Sequence, residues 1–323
     1  MWLLPWAQRH FPGEVAAIRR DYPDDIIPSA FSPPRLPHQM GEWHTAGTYV
    51  DEWGCVFTNL CDGVIGEVKE PIIADYATDL DKVRPPREWI GHVDAGRINA
   101  ACAATDRFVI GQAGVNPFER MQWIRGTENV YIDLLEQPAG LRRLRDIVHE
   151  WNLAIFERFV RTDVDAIAWN DDWGSQRSLL IAPELWRSFF KPLYAEYAAL
   201  ARRHGKFAFM HSDGWITEIY EDLIEIGVHA VNSQLFCMDI EEIGRRFKGR
   251  ITFWGEIDRQ HILPYATVDE TRRAVRRVAD ALHDGRGGVI AQCEFGAGAR
   301  PENVRAVFDE WDRVGRSDRP QQG

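Results

Sequence analysis

The sequence contains a His-x-Asp-Gly motif, His211-Ser212-Asp213-Gly214, directly after the apolar residues 207–210. Side chains two residues apart on a β-strand point to the same side, so His211 and Asp213 are expected to share one face. Imidazole and carboxylate are both metal ligands, and at the end of a buried strand they can share one ion. The alternative is that the two side chains hydrogen-bond to each other and cap the following helix.

Polar residues also follow other short apolar runs of the chain. They are Asp171 and Asp172, Asn232 and Gln234, Glu256 and Asp258, and Cys293 and Glu294. If the runs are parallel strands, their carboxyl ends meet at one rim, where such folds place their active sites. So many carboxylates at one rim repel each other unless a cation offsets them. The mixed nitrogen, oxygen and sulfur donors of His211, Asp213, Glu256 and Cys293 therefore favour a zinc site.

Each of these residues also has a purely structural interpretation. Asp171 or Asp172 could cap a helix, and Glu256, after Gly255, could be solvated. A single cysteine at a strand end, such as Cys293, is more often a small core residue than a ligand.

The elements that must position this rim alternate between strand and helix. Strands are predicted at 108–111, 166–169, 207–211, 230–232, 251–256 and 289–294. Helices are predicted at 138–161, from Pro183 to Gly205, at 216–226, at 239–247, from Thr267 to His283 and from Pro301 onward. Short apolar strands separated by helices pair in parallel with right-handed crossovers. A closed (β/α)8 TIM barrel fits the polar rim better than an open doubly wound sheet, and no Gly-x-Gly-x-x-Gly follows a strand.

Residues 1–100 are less regular than the rest, and prolines 28, 33, 34 and 37 interrupt them. A short strand is expected at 25–28 and a hairpin within 49–57. We therefore predict one barrel domain over 1–323, with 1–100 as an elaborated cap that includes the first barrel elements and 107–315 as the main barrel.

Composition excludes several classes of function. The 323 residues carry a formal net charge of −11, which disfavours nucleic acid and anionic membranes as partners. The apolar start at residues 1–6 lacks the features of a secretory signal, and no run approaches the roughly 18 apolar residues of a membrane helix. Five scattered cysteines indicate a reducing, cytoplasmic environment rather than a disulfide framework.

Several stretches resemble the uroporphyrinogen decarboxylase superfamily. They are the His211-Ser212-Asp213-Gly214 motif, residues 222–228, Phe253-Trp254-Gly255-Glu256-Ile257-Asp258, and Pro301-Glu302-Asn303-Val304 after the strand that ends in Cys293. The similarity covers about 160–315, extends less clearly from 107, and is weak over 1–100. It implies a (β/α)8 barrel with its site at the carboxyl rim.

The superfamily contains metal-free decarboxylases and cobamide-dependent methyltransferases. The decarboxylases have an N-terminal Arg-Gln-Ala-Gly-Arg signature, whereas the nearest stretch here, residues 111–114, lacks the arginines. The methyltransferases hold zinc on His-x-Cys and a distant Cys. His211 matches the histidine, Cys293 matches the distant cysteine, and Asp213 stands where the first cysteine would be. A carboxylate there makes zinc a harder Lewis acid, which suits an oxygen-bearing substrate such as a methyl ether.

The resemblance thus predicts a zinc-dependent methyltransferase or demethylase that acts on a small methylated substrate, with a corrinoid on a partner protein as acceptor. Zinc would bind His211, Asp213, Glu256 and Cys293. Asp171, Asp172 and Asp213 are the predicted catalytic residues, and Trp173, Gln234 and Trp254 are predicted to contact substrate. The alternatives are a metal-free decarboxylase and a non-catalytic corrinoid- or tetrapyrrole-binding protein.

Overall fold

The computed structural model describes residues 1–63 and 66–317. The chain divides into two compact units. The carboxy-terminal unit comprises Met1–Asp25, Trp173–Leu180 and Phe209–Gly323, and the central unit comprises Ile26–Asp172 and Ile181–Ala208.

The central unit contains a parallel set of strands and a small antiparallel sheet. Ile26–Pro28 pairs in parallel with Phe108–Gly111, which pairs in parallel with Ala166–Asn170. Gly47–Val50 and Val56–Asn59 form the hairpin expected within 49–57, and Glu67–Val68 adds a third antiparallel strand. The strands predicted at 25–28, 108–111 and 166–169 are therefore confirmed.

Helices flank these strands along the chain. The helices of the central unit are Tyr76–Asp79, the 3-10 turn Leu80–Lys82, Arg87–Gly91, Ala95–Ala103, Pro117–Arg125, Thr127–Glu136, Ala139–Phe159, Pro183–Phe189 and Lys191–Arg203. The helix predicted from Pro183 to Gly205 is thus two helices that meet at Phe190. Pro192 has no N–H for a bond to the Ser188 carbonyl, which explains the break.

Four parallel strands form the core of the carboxy-terminal unit. Phe207–Ser212 pairs with Ala230–Ser233, which pairs with Thr252–Gly255, which pairs with Val289–Ala291. The register aligns His211 with Asn232, Asn232 with Trp254, and Trp254 with Ile290. Because in-register residues of parallel strands point to the same face, these side chains form one row across the sheet.

The helices of this unit include the four predicted segments, at 216–226, at 239–247, from Thr267 to His283 and from Pro301 onward, and further helices that were not predicted. Together they are Pro5–His10, Pro12–Asp21, the 3-10 turns Thr217–Ile219 and Leu235–Cys237, Tyr220–Ile226, Ile240–Phe247, Ile262–Tyr265, Val268–Leu282 and Pro301–Ser317. The capping box of Thr267 and Glu270 is present. The alternation of parallel strands and helices along the chain is that of a TIM-barrel-like α/β fold, which confirms the predicted fold class.

The strand predicted at 289–294 is interrupted. Val289–Ala291 is followed by a gap, and Glu294–Phe295 then pairs in parallel with Trp2–Leu3. The N–H groups of Trp2 and Leu4 donate to the carbonyls of Cys293 and Phe295, both at 3.1 Å. The apolar start of the chain is thus a strand of this unit, an element that sequence reasoning missed.

Of the helices within the described ranges 1–63 and 66–317, none combines the length and the apolar character that crossing a bilayer requires.

Gly214 allows the chain to turn directly after the His-x-Asp pair. Its φ is +77°, and a Cβ there would lie 2.0 Å from the Gly174 carbonyl oxygen. The Gly174 N–H donates to the Asp213 carbonyl at 3.1 Å, which holds the two segments together. A residue with a side chain would be strained by its backbone and would also push Gly174 away from Asp213.

We predict that Gly214→Ala lowers the free energy of unfolding by more than the cost of a left-handed backbone, which is about 1–2 kcal/mol. Gly249→Ala is the matched control, because Gly249 has a φ of +76° and its added Cβ would meet only an Asp284 oxygen at 3.7 Å. Urea unfolding of both variants measures the difference. Equal losses in the two variants would contradict the close approach at Gly174.

Candidate functional site

His211 is oriented by the residue beside it on the neighbouring strand. Its Nδ1 lies 2.6 Å from Asn232 Oδ1. Asn232 Nδ2 donates to the Trp254 carbonyl at 2.7 Å and to Gln292 Oε1 at 3.4 Å, so the amide oxygen must face the imidazole. His211 Nδ1 is therefore the donor of this bond. A ring that donates from Nδ1 presents the lone pair of Nε2, which is how metal-binding histidines are held.

Asp213 lies on the Nε2 side of His211. Its Oδ1 is 3.6 Å from His211 Nε2, and the two side chains are only 11% and 23% exposed. Both residues belong to a group of closely spaced potential metal ligands in the described part of the chain. The nitrogen and oxygen donors fit a zinc ion between them.

Arg259 bridges Asp213 to a second carboxylate. One guanidinium nitrogen bonds Asp213 Oδ2, and the other lies 2.6 Å from Glu294 Oε2. Burial by itself would lower the pKa of Arg259, but the neighbouring carboxylates, Asp213 first, hold it above its ordinary value. Arg259 is therefore a cation that offsets part of the acidic rim. Sequence reasoning missed it, because an arginine three residues beyond Glu256 carries no distinctive pattern.

Glu256 is a buried carboxyl group of this site. It is 2% exposed, and its Oε1 has no hydrogen-bond partner among the described residues. Burial, and then the negative charge of Asp213, raise the pKa of Glu256 to about 8. The group is therefore mostly protonated at neutral pH. Glu256 is therefore not the solvent-exposed side chain that its position after Gly255 also allowed.

Cys293 lies between two residues that contact the site. Gln292 bonds with Asn232, and Glu294 bonds with Arg259. Cys293 is completely buried, and burial raises the pKa of its thiol to about 12. Neither Cys293 nor Glu256 belongs to a group of closely spaced ligands among the described residues. Their assignment as zinc ligands stays a prediction, and this geometry does not support it.

Trp2 borders the imidazole, and Trp254 packs against Trp2. The Trp2 ring lies 4.6 Å from the His211 ring between centroids, and 6.3 Å from Trp254, edge to face. Trp254 was predicted to contact substrate. Trp2 was not, because sequence alone could not pair the start of the chain with Glu294–Phe295.

A cavity next to Arg259, which bonds Asp213, is bordered by both polar and apolar side chains. It has about 360 Å³ of empty space, its open mouth included. Its lining includes Gln176, Gln234, Phe236, Glu256 and Arg259. A small ligand in this cavity would meet a carboxyl group, two amides, a guanidinium group and an aromatic ring.

The other predicted substrate contacts have structural partners. Gln234 Oε1 accepts the Gly214 N–H at 3.0 Å, so this amide supports the turn after Asp213 while it also lines the cavity. The Trp173 side chain is completely buried. The backbone N–H of Trp173 donates to Ser212 Oγ at 3.0 Å. Trp173 therefore supports the strand end from inside the protein.

Asp171 occupies a capping position within the central unit. Its carboxylate accepts the N–H groups of Phe118 and Glu119, at the start of helix Pro117–Arg125, and the Tyr194 hydroxyl. Burial raises the pKa of Asp171 to about 7 despite these bonds. Asp171 therefore caps this helix, as one interpretation of the sequence expected. The catalytic role of Asp171 stays a prediction. Asp172 is half-buried, and its role also stays a prediction.

Comparison with protein families identifies the class of this chain. The model of the uroporphyrinogen decarboxylase (URO-D) family matches residues 58–314. The chain therefore belongs to the uroporphyrinogen decarboxylase family, as the motifs predicted. No curated protein matches it significantly.

Two solved structures are similar to the chain. A methyltransferase from Methanosarcina mazei aligns with a TM-score of 0.64 at 15% identity, over 93% of this chain and 83% of that one. This similarity shows the fold. A glycosylated endo-beta-1,4-xylanase of glycoside hydrolase family 10 from Gloeophyllum trabeum aligns with a TM-score of 0.40 at 12% identity, over 65% of this chain and 77% of that one. The second alignment is too weak to inform fold or function.

The raised pKa of Glu256 predicts a pH-dependent stability. The native state keeps this proton up to about pH 8, whereas an unperturbed glutamic acid loses it near 4.5. Between these values the native state binds more protons, so this group's contribution to stability is full below pH 4.5 and is lost as pH rises. We expect Glu256→Gln, which has no proton to lose, to gain stability relative to wild type from pH 5 to pH 9.

Urea unfolding at both pH values measures this difference. Glu242→Gln, at a half-exposed position on helix Ile240–Phe247, is the control and should follow the wild-type pH dependence. A Glu256→Gln variant whose pH profile runs parallel to wild type would show that Glu256 is ionised in the native state.

Proposed function

We propose that this protein is a zinc-dependent methyltransferase that removes a methyl group from a small methylated substrate, with a methyl ether as the favoured class. The observation that carries the proposal is the hydrogen bond between His211 Nδ1 and Asn232, which turns Nε2 toward Asp213. A histidine held in this way beside a carboxylate is prepared to bind a metal ion.

The family and the fold also support a methyltransferase function. The uroporphyrinogen decarboxylase family supplies the barrel and the rim, and the Methanosarcina mazei protein with the same fold is a methyltransferase. At 15% identity that likeness does not transfer an activity by itself. The His211 and Asp213 geometry is what favours a metal-dependent reaction over a metal-free one.

Zinc bound to His211 and Asp213 would act as a Lewis acid on the substrate's ether oxygen and so make that oxygen a better leaving group. Asn232 keeps the imidazole in its Nδ1–H form. Arg259 holds the second oxygen of Asp213. Neither Glu256 nor Cys293 needs to be a ligand in this arrangement.

Glu256 is the proton donor that we propose for the leaving group. Transfer of the methyl group to an acceptor breaks the carbon–oxygen bond and leaves the electron pair on the ether oxygen. Glu256 is protonated at neutral pH and lines the cavity beside Arg259, so it can deliver its proton to that oxygen and yield an alcohol or phenol. Trp2 lies against His211, and Trp254 lies against Trp2, so these rings could contact the substrate's apolar part.

The acceptor that we propose is a corrinoid on a separate partner protein. This part of the proposal comes from the resemblance to the methyltransferase branch of the family. When bound, a cobalt(I) corrinoid would supply the electron pair for the new bond to the methyl carbon, so the transfer itself would need no further reductant.

We predict that the purified protein binds about one zinc ion per chain. His211→Ala should lower zinc affinity by at least about 100-fold, and Asn232→Ala by about tenfold, since it removes only the orienting bond. Cys293→Ala should retain zinc, because Cys293 is not part of the group of closely spaced potential ligands in the described chain. Elemental analysis and competition with a chelating dye measure these affinities. Zinc binding that survives His211→Ala would contradict the proposed centre.

The reaction is tested with free cob(I)alamin and a panel of small methyl ethers. Zinc-loaded wild type should form methylcobalamin, followed by its absorbance, and His211→Ala should give only the background rate. The same preparations are assayed for carbon dioxide release from carboxylated aromatic and pyrrole substrates. Carbon dioxide release that is equal with and without zinc, with no methylcobalamin, would favour the metal-free decarboxylase instead.

A further inference from the structure

The bridge from Asp213 through Arg259 to Glu294 is the contact from which a second role can be argued. Arg259 bonds both carboxylates through different guanidinium nitrogens, and all three side chains are at most about one quarter exposed. Such a linkage is more persistent than a surface ion pair, because water and salt compete less well for its partners. We name it the Arg259 bridge.

The Arg259 bridge divides the two oxygens of Asp213. Arg259 bonds Oδ2, while Oδ1 faces His211 Nε2 at 3.6 Å. A metal ion at His211 would therefore meet one oxygen of Asp213 rather than both. Single-oxygen coordination leaves more positions for substrate, and open positions distinguish catalytic from structural zinc sites.

Arg259 also changes how strongly Asp213 attracts a cation. A donor on a carboxylate oxygen withdraws negative charge from it, and the guanidinium charge itself repels a metal ion. Glu294 acts in the opposite direction, because it shares the same guanidinium at 2.6 Å. Removal of Glu294 would leave Arg259 with Asp213 as its remaining partner in the bridge.

We infer that Arg259 is a positioning residue that holds Asp213 as a single-oxygen ligand and lowers its metal affinity, and that Glu294 moderates this effect. The inference rests on the proposed metal centre at His211 and Asp213. It concerns residues that touch neither the metal nor the reacting atoms.

The test compares zinc affinity with methyl transfer in Arg259→Gln. We expect zinc to bind about tenfold more tightly, because the repelling charge is gone and Asp213 Oδ2 is no longer held by Arg259. We expect methyl transfer under saturating zinc to fall at least tenfold, because the second oxygen occupies a position that substrate needs. A merely structural role for Arg259 would weaken both properties together.

Three further variants make the sign of the effect testable. Glu294→Gln should weaken zinc binding several-fold, which is the opposite direction from Arg259→Gln. Arg259→Lys keeps the charge and should stay within about threefold of wild-type affinity. Arg277→Gln is the matched control, because Arg277 bonds Glu241 through two nitrogens at 2.7 and 2.8 Å on the exposed surface of the same unit, and it should change neither property.

The outcomes separate this inference from the proposed function. If wild type binds no zinc, the proposed metal centre itself fails. If wild type binds zinc through His211 but Arg259→Gln binds it equally or more weakly, the metal centre stands and the Arg259 bridge is overturned. Zinc affinity that moves in the same direction in Arg259→Gln and Glu294→Gln would also overturn it.

Discussion

The site depends on the parallel register that aligns His211 with Asn232 and Asn232 with Trp254. This register lets one amide bond the imidazole with its oxygen and the Trp254 carbonyl with its nitrogen. The orientation of the amide then decides which nitrogen of His211 carries the proton. A shift of either strand by one residue would turn His211 or Asn232 to the other face and leave the imidazole without its acceptor.

Charge is the second constraint on this rim. The charge of Asp213 helps to raise the pKa of both Glu256 and Glu294, so these carboxyl groups lie close together. Two features reduce the electrostatic repulsion between these carboxyl groups. Arg259 binds two of the carboxylates, and Glu256 holds its proton to about pH 8. A dicationic metal would offset more of this negative charge, whereas a highly carboxylated substrate would add to it and would find Arg259 already shared by two carboxylates.

Asp213 and Cys293 differ in how much of their surroundings could be predicted. Both residues follow an apolar run, and both were expected to bind one ion. Asp213 directly follows the strand Phe207–Ser212, and its Oδ1 lies 3.6 Å from His211 Nε2, as the two-residue spacing predicts. Cys293 lies on a segment that leaves its strand at Ala291 and pairs again, at Glu294, with Trp2–Leu3. No local signal reveals that partner, so the surroundings of Cys293 could not be predicted.

The sequence by itself determined the alternation of strands and helices, the shared face of His211 and Asp213, and membership in the uroporphyrinogen decarboxylase family. These depend on periodicity and on short motifs, which neighbouring residues carry. Only the tertiary structure decided that Asn232 orients His211, that Arg259 joins Asp213 to Glu294, that Asp171 caps a helix, and that Trp2 borders the site. These contacts join residues 21 or more positions apart, and Trp2 lies more than 200 residues from His211. Long-range contacts depend on how the strands assemble, and the sequence pattern of any one strand does not contain that information.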